Sequence, residues 1–476
     1  MVEHQFGWLS LIPSLLAIIL AIATRQVYLS LILGILAGAF IINPTLLGGL
    51  FQFFNIIVDV FKDSGNTRVI IFACLVGGLL ELMNKSGGFA GIGNRLTDSS
   101  LVNTKKKSLL LLYATGIIIF IESTITILIV GTIGKVLAKK YKFSKAQLAY
   151  ICDSTSAPVC IMIPVNAWGA FVLGLMEKQH VEKPIEVFIS SIGHNYYAIV
   201  TLLMVLFFIL TGKHFGPMKK AETEAETESV NLNSDKLLKE NEPEYYSEKR
   251  PHINFILPVL TLMLSVPFFL FLSGWEKVKD SAETLSWFQI MTSGSGSIAV
   301  LMGVVTSILV IIILIIIQRQ TKFETVFNDL ISGSGKFINL SLLMLLAFAI
   351  GQLSSTLQTG EYIASVVMNI QSPGFLIAGV FLISCFISFS TGTSWGTFAI
   401  MIPLCIPIAI SLNLPLNLTI AAILSGGVFG DHCSPISDTT IISSLASDCS
   451  LMDHVKTQLP YALIAAGISL VLFIVI

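Results

Sequence analysis

Eleven consecutive residues carry the densest chemistry in the chain: Gly430-Asp431-His432-Cys433-Ser434-Pro435-Ile436-Ser437-Asp438-Thr439-Thr440. Two carboxylates, an imidazole and several hydroxyls surround a proline, with a helix-breaking glycine at the start. Apolar sequence flanks them, Ile420 to Phe429 before and Ile441-Ile442 after. Ionisable groups at membrane depth are costly and mark ion or proton pathways. A broken, polar stretch is tolerated there only where protein buries it or it lines a cavity.

Three further breaks share this character. Glu122-Ser123-Thr124-Ile125-Thr126 interrupts the apolar stretch 109–136, and Asp153-Ser154-Thr155-Ser156-Ala157-Pro158 comes next. Ser390-Thr391-Gly392-Thr393-Ser394-Trp395-Gly396 interrupts 375–407, ahead of the 430–440 segment. A hard cation such as Na+ takes carboxylate, carbonyl, hydroxyl and water oxygens. Breaking a helix at membrane depth frees carbonyls at one half-helix's C-terminal end for a cation, while the facing N-terminal end favours anions. Asp153 and Asp431, each beside such a break, supply negative charge; the hydroxyls add oxygen without adding charge. Protons and Na+ can compete for such a site, which is the simplest physical route to exchange.

The elements that must position these groups are membrane helices. Of 476 residues, 54% are hydrophobic and only 12% charged, where soluble domains carry roughly a quarter charged residues. Sixteen of the 57 Asp, Glu, Lys and Arg residues fall between Lys213 and Arg250. Elsewhere, apolar runs such as Trp8–Ala23, Ile253–Leu272, Ile298–Ile317 and Tyr461–Ile476 approach the roughly 20 residues of a transmembrane helix. The expected fold is an all-α polytopic membrane protein with about 10–13 membrane segments. The first run follows Glu3 without a basic n-region and reads as a retained span, not a signal peptide. The seven scattered cysteines suggest buried thiols, and no basic patch with interleaved aromatics suggests nucleic acid.

The charge cluster divides the chain into an N-terminal membrane half, 1–212, a cytoplasmic linker, 213–252, and a C-terminal membrane half, 253–476. The basic Lys139-Lys140-Tyr141-Lys142 loop places its own side, and then the linker, in the cytoplasm. Each half has a hydroxyl-rich break and then an Asp-hydroxyl-Pro break. Matched interruptions in two halves point to a transporter's midplane site and to an internal repeat.

The residues expected to bind the ion or couple the proton are Glu122, Ser123, Thr124, Asp153, Ser154, Thr155, Ser156, Ser390, Thr391, Gly392, Thr393, Ser394, Asp431, Ser434 and Asp438. Asn166, Trp395 and His432 are placed at the border of a solute pocket. Plainer readings stand beside these. Asp438 can be a helix N-cap, His432 a hydrogen-bonded structural residue, and Trp168 and Trp395 packing groups. His194 to Tyr197 fit an interfacial aromatic belt, and the Ser-Gly-Ser-Gly runs at 293–296 and 332–335 fit flexible helix entries. His, Ser and Asp lie too close together near 431–438 for a hydrolase, so no enzyme and no cofactor is expected.

The 430–440 segment, followed by Asp453-His454-Val455 and Gln458-Leu459-Pro460-Tyr461, closely resembles the sodium/proton antiporters of the NhaC type. The 390–396 and 153–158 segments resemble that family's other polar breaks. The resemblance implies two inverted repeats in the broad ion-transporter superfamily, each with a re-entrant hairpin and a broken transmembrane helix. Glu122–Thr126 and Ser390–Gly396 become hairpin tips, and Asp153–Pro158 and Asp431–Asp438 unwound loops. It further implies Na+/H+ antiport in a bacterial inner membrane, an elevator-type mechanism and homodimers. Proteins similar to these also couple Na+ or H+ to organic acids or amino acids, which is the alternative function.

Overall fold

A computed structural model describes residues 6–24, 26–91, 103–120, 122–164, 166–227, 245–247, 251–279, 287–359, 362, 373–435 and 437–476. All regular structure among them is helical. Eight helical stretches among the described residues are long and apolar enough to cross a membrane, including Ser64–Lys85, Ile253–Val278, Gly296–Ile317 and Leu451–Val475. The other pieces are shorter because breaks divide them: Lys105–Ile118, Lys145–Ser154 and Asp438–Ser447 fall below the roughly 20 residues of a full crossing.

Two packed groups emerge. In one, Ser64–Lys85 lies against Gly296–Ile317, Phe323–Lys336 and Ile338–Thr356, and Ile253–Val278 against Gly296–Ile317. Gly77 and Gly333 let Ser64–Lys85 and Phe323–Lys336 approach backbone to backbone; a Cβ on Gly77 would sit 2.4 Å from the Gly333 carbonyl oxygen. The 332–335 run is thus a close-packing face inside Phe323–Lys336, not a helix entry. Without a hydrophobic drive between helices in lipid, such small-residue contacts carry much of the association. In the other group, Leu416–Cys433 packs on Pro373–Thr391, Ser394–Ser411 and Leu451–Val475. The half-helix Asp438–Ser447 packs on Ser123–Tyr141 and Lys145–Ser154, so the two halves of the sequence interleave. Ala167–Lys178 touches both groups.

The start of the charged linker is folded. Gly212 and Gly216 adopt left-handed backbone (φ +64° and +57°), ending one helix and starting Gly216–Thr227. There Met218 and Glu222 are buried. Glu222 accepts from the Ser144 amide at 2.7 Å, capping the first turn of Lys145–Ser154, and pairs with Lys105 Nζ at 2.8 Å. Phe215 stacks on Tyr461 with ring centres 4.4 Å apart. On the far side of the linker, the Tyr246 amide donates to the Lys85 carbonyl at 2.9 Å. Residues 228–244 and 248–250 of the expected linker lie outside the described residues.

Candidate functional site

Asp431 sits in the last turn of Leu416–Cys433, where the helix stops at Cys433. The chain resumes as Asp438–Ser447 after Ser437, whose hydroxyl caps the new helix at the Thr440 amide. The Asp431 carboxylate is 1% exposed. Ser394 Oγ donates to its Oδ2 at 2.6 Å, and Ser437 Oγ donates to Oδ1. Ser394 opens Ser394–Ser411, directly after the turn in which Gly392 takes φ +68°. Only the absence of a Cβ makes that left-handed turn cheap. One carboxylate is thereby gripped by hydroxyls from two separate breaks, each at the positive end of a helix. Among the described residues, no lysine or arginine pairs with it.

Helix Pro373–Thr391 is pressed onto the Asp431 helix through Gly426 and Gly430. A Cβ on Gly430 would lie 2.4 Å from the Phe389 nitrogen. Ser388 Oγ donates to the Gly427 carbonyl at 2.5 Å and Ser434 Oγ to the Phe389 carbonyl at 2.7 Å. Asp438 is exposed; its Oδ1 accepts from the Thr439 amide at 2.8 Å, and its carboxylate is near enough to act electrostatically on Asp431.

Asp153 forms a second buried centre at the end of Lys145–Ser154. Its Oδ2 accepts from Gln458 Nε2 at 2.8 Å and faces His454 Nε2 at 3.2 Å, both from Leu451–Val475. Thr440 Oγ1 stands between the centres, 3.4 Å from Asp153 Oδ2 and 3.3 Å from the Asp431 carbonyl. His432, one residue past Asp431, bonds Ser154 Oγ through Nε2 (3.0 Å) and the Tyr197 hydroxyl through Nδ1 (2.7 Å). Beyond Ser154, the Thr155 and Ser156 hydroxyls donate to the Ile151 and Asp153 carbonyls at 2.7 Å, closing the broken helix end.

The first-half break lies where Lys105–Ile118 ends and Ser123–Tyr141 begins. Glu122 is buried and accepts from Ser123 Oγ at 3.2 Å; Thr124 is half-buried. A Cβ on Gly116 would fall 2.0 Å from Thr155 Oγ1, so this break presses against the Asp153 segment. Asn166 joins the two, donating to the Phe120 and Cys160 carbonyls at 2.8 Å and accepting from the Gly169 amide at 2.9 Å. Asn166→Ala strips the Phe120 carbonyl and the Gly169 amide of a partner. The expected cost is about 3 kcal/mol of stability, read as earlier thermal unfolding in detergent.

The structure therefore brings Asp153, Ser154, Ser394, Asp431 and His432 into one hydrogen-bonded neighbourhood. Ser434 and Thr391 bond backbone carbonyls nearby, Thr391 to Ile387. Ser390 and Thr393 are half-buried at the hairpin turn, and Thr393 caps the next helix at the Gly396 amide. Trp395 joins an aromatic cluster, 4.8 Å from Trp168 and 5.2 Å from Phe171 between ring centres. Sequence reasoning assigned no role to Ser437, Thr440, His454 or Gln458, and read Tyr197 as part of an interfacial belt. Asn195 and Tyr197 are buried rather than interfacial: Asn195 Oδ1 accepts from Ser425 Oγ at 2.8 Å, and Tyr197 reaches His432. The usable signal was the run His454, Gln458, Tyr461, which places polar tips on one stripe of an apolar helix.

Comparison with known proteins follows the same lines. The family description "Na+/H+ antiporter family" matches residues 159–476, about two thirds of the chain. An uncharacterised protein of Haemophilus influenzae is 32% identical over 98% of this chain and 90% of its own. The malate-2H(+)/Na(+)-lactate antiporter of Bacillus subtilis is 29% identical over 34% of each chain. In fold, the Alcanivorax borkumensis YdaH transporter matches with a TM-score of 0.59 at 14% identity, covering 90% of this chain and 88% of that one. With apolar helices from end to end, polar breaks meeting at buried carboxylates and a family match over most of its length, the chain belongs to the Na+/H+ antiporter family of the NhaC type and is a multi-pass secondary transporter of the cell membrane.

Proposed function

We propose that this protein exchanges Na+ for H+, with the cation held at Asp431 by Ser394, Ser437 and Asp438. The observation that carries this reading is the environment of Asp431. A carboxylate at membrane depth whose described partners are hydroxyls needs a small positive charge to cross, which Na+ supplies at the carboxylate and a proton supplies there or at a buried base beside it. Carbonyls at the frayed end of Leu416–Cys433 supply further cation ligands, as hard-ion chemistry requires. Empty and charged, the site is costly to move; loaded, it is not, and that difference couples the two ions.

The two packed helix groups support an elevator-type motion, in which the group carrying the breaks shifts against the group built on Ser64–Lys85 and Gly296–Ile317. Within this reading the matched breaks are re-entrant hairpin tips and unwound loops of two repeats.

A specific observation favours a second reading, Na+- or H+-coupled exchange of a small organic acid or amino acid. The Trp168, Phe171 and Trp395 cluster adjoins the Thr393–Ser394 turn, so an apolar solute body and the hydroxyl-rich turn would meet there. The partial relative from Bacillus subtilis is named as moving organic acids. One experiment separates the two: the pure chain in liposomes holding a pH-sensitive dye, under a Na+ gradient and without organic solute. A Na+-dependent change of internal pH is expected. A silent preparation that still binds Na+ rejects simple exchange in favour of the coupled solute.

A further inference from the structure

The geometry points to the Asp153–His454 pair as the place where the exchanged proton is carried, separate from the cation centre at Asp431. This rests on the Na+/H+ reading above and divides it between two centres.

Four observations converge. First, His454 is fully buried and faces the Asp153 carboxylate at 3.2 Å, while Gln458 fixes the same oxygen at 2.8 Å. Second, three buried polar atoms of this cluster lack hydrogen-bond partners among the described residues: Asp153 Oδ1, Gln458 Oε1 and His454 Nδ1. Such groups are rare in native folds and call for a reason. A free ring nitrogen opposite a carboxylate-bound one is what a proton needs to arrive and leave. Third, His432 is poorly suited to the task, because both of its ring nitrogens are engaged, by Ser154 and Tyr197. Fourth, Thr440 links the centres. Its single hydroxyl proton can serve Asp153 or the Asp431 carbonyl, one at a time.

The titratable groups that act on this pair are His432, Cys433, Asp431 and Asp438 from the broken helix, Cys152 beside Asp153, and Tyr197. None of these side chains bonds the Asp153 carboxylate; among the titratable groups of the described residues, His454 does.

Proton and charge then balance. In the proton-loaded state, an imidazolium at His454 faces the Asp153 carboxylate. Na+ entering at Asp431 raises the local positive potential across a short, low-dielectric gap. On the side from which Na+ enters, His454 releases one proton from Nδ1 to water and keeps its Nε2–H on Asp153. One H+ has left for one Na+ gained, so the net charge of the buried unit is the same in both states. Thr440 turns its hydroxyl toward the now uncompensated Asp153, leaving the Asp431 carbonyl oxygen free for the cation.

The test uses His454→Gln in the full chain. Glutamine keeps a donor for Asp153 and cannot titrate. In liposomes, Na+-driven proton flux is expected to fall about a hundredfold, while isotopic Na+/Na+ exchange persists within about threefold. In detergent, Na+ addition should release protons from the unaltered chain and not from the variant, although Na+ still raises the unfolding temperature of both. Unchanged proton flux and release in the variant would overturn the inference and leave Na+/H+ exchange standing. Absence of Na+-driven proton flux in the unaltered chain would instead defeat the exchange reading itself. If the variant does not fold, infrared difference spectra of the unaltered chain decide: loss of an imidazolium band on Na+ addition is expected, and its absence overturns the inference.

Discussion

Asp431→Asn is expected to abolish Na+-driven flux while leaving the protein folded. Asparagine has the size of aspartate and can still accept from one of Ser394 and Ser437. Its amide nitrogen, however, meets a hydroxyl that now donates to the Asp431 oxygens, so that hydroxyl must turn around. The larger effect is the lost charge. Without it the site has no anion beyond exposed Asp438 to offset Na+ dehydration, and hydroxyls and carbonyls alone hold the ion poorly. A loss of about 3 kcal/mol in ion binding would lower affinity by about a hundredfold. Flux in liposomes and Na+-dependent thermal stabilisation in detergent check this together. Wild-type values of both at normal expression would remove Asp431 from the site.

Gly430→Ala is the second large effect, and it acts through packing. The added Cβ would lie 2.4 Å from the Phe389 nitrogen, 2.5 Å from Ser388 Cβ and 2.7 Å from the Cys385 carbonyl oxygen. Two of these three atoms are backbone, so no rotamer change relieves the clash, and Pro373–Thr391 must move away from the Asp431 helix. That displacement strains the Ser388–Gly427 and Ser434–Phe389 bonds and carries Ser394 away from Asp431. Overpacking of this kind costs about 1–3 kcal/mol. The functional penalty is greater, since a shift of about 1 Å in a positioned group can cost about a hundredfold in rate. Thermal unfolding and flux should therefore fall together. Gly467→Ala, where nothing lies within 4 Å of the new Cβ, is the control expected to change neither.

Much of this site was legible in the chain because polar residues inside apolar runs are conspicuous. The helix ends at Ile118, Ser154, Thr391 and Cys433 fall where Glu122, Asp153, Gly392 and Asp431 marked them. What remained hidden was partnership across the fold. Nothing local says that Thr440 stands between two aspartates nearly three hundred residues apart, or that Tyr197 reaches His432. Asp438 shows a finer ambiguity: it opens its helix and bonds the next amide, but Ser437 is the cap. The Ala-Glu-Thr-Glu stretch, expected as a flexible or partly helical linker, is helical at its start, and what stayed hidden was its docking. Its composition reads as a solvated linker, yet Lys105 and the Ser144 amide compensate one buried glutamate and allow the helix to dock. Charge patterning reports a segment's own preference, and a distant lysine can override it.

That docked helix has a mechanical consequence. Gly216–Thr227 grips Lys105 and Ser144, at the starts of two helices that end at breaks, and Phe215 before it packs on Tyr461, while Tyr246 is fastened to Lys85 at the end of Ser64–Lys85. This covalent rope between the groups is thus tied off at both ends, at Thr227 and at Tyr246, with one stretch of chain between them. Pulled taut at roughly 3.4 Å per residue, that stretch reaches about 65 Å, against a hydrocarbon core about 30 Å thick. The rope is never the stop. Were the two groups to shift against each other, contact between helix faces, not the length of this link, would set the distance.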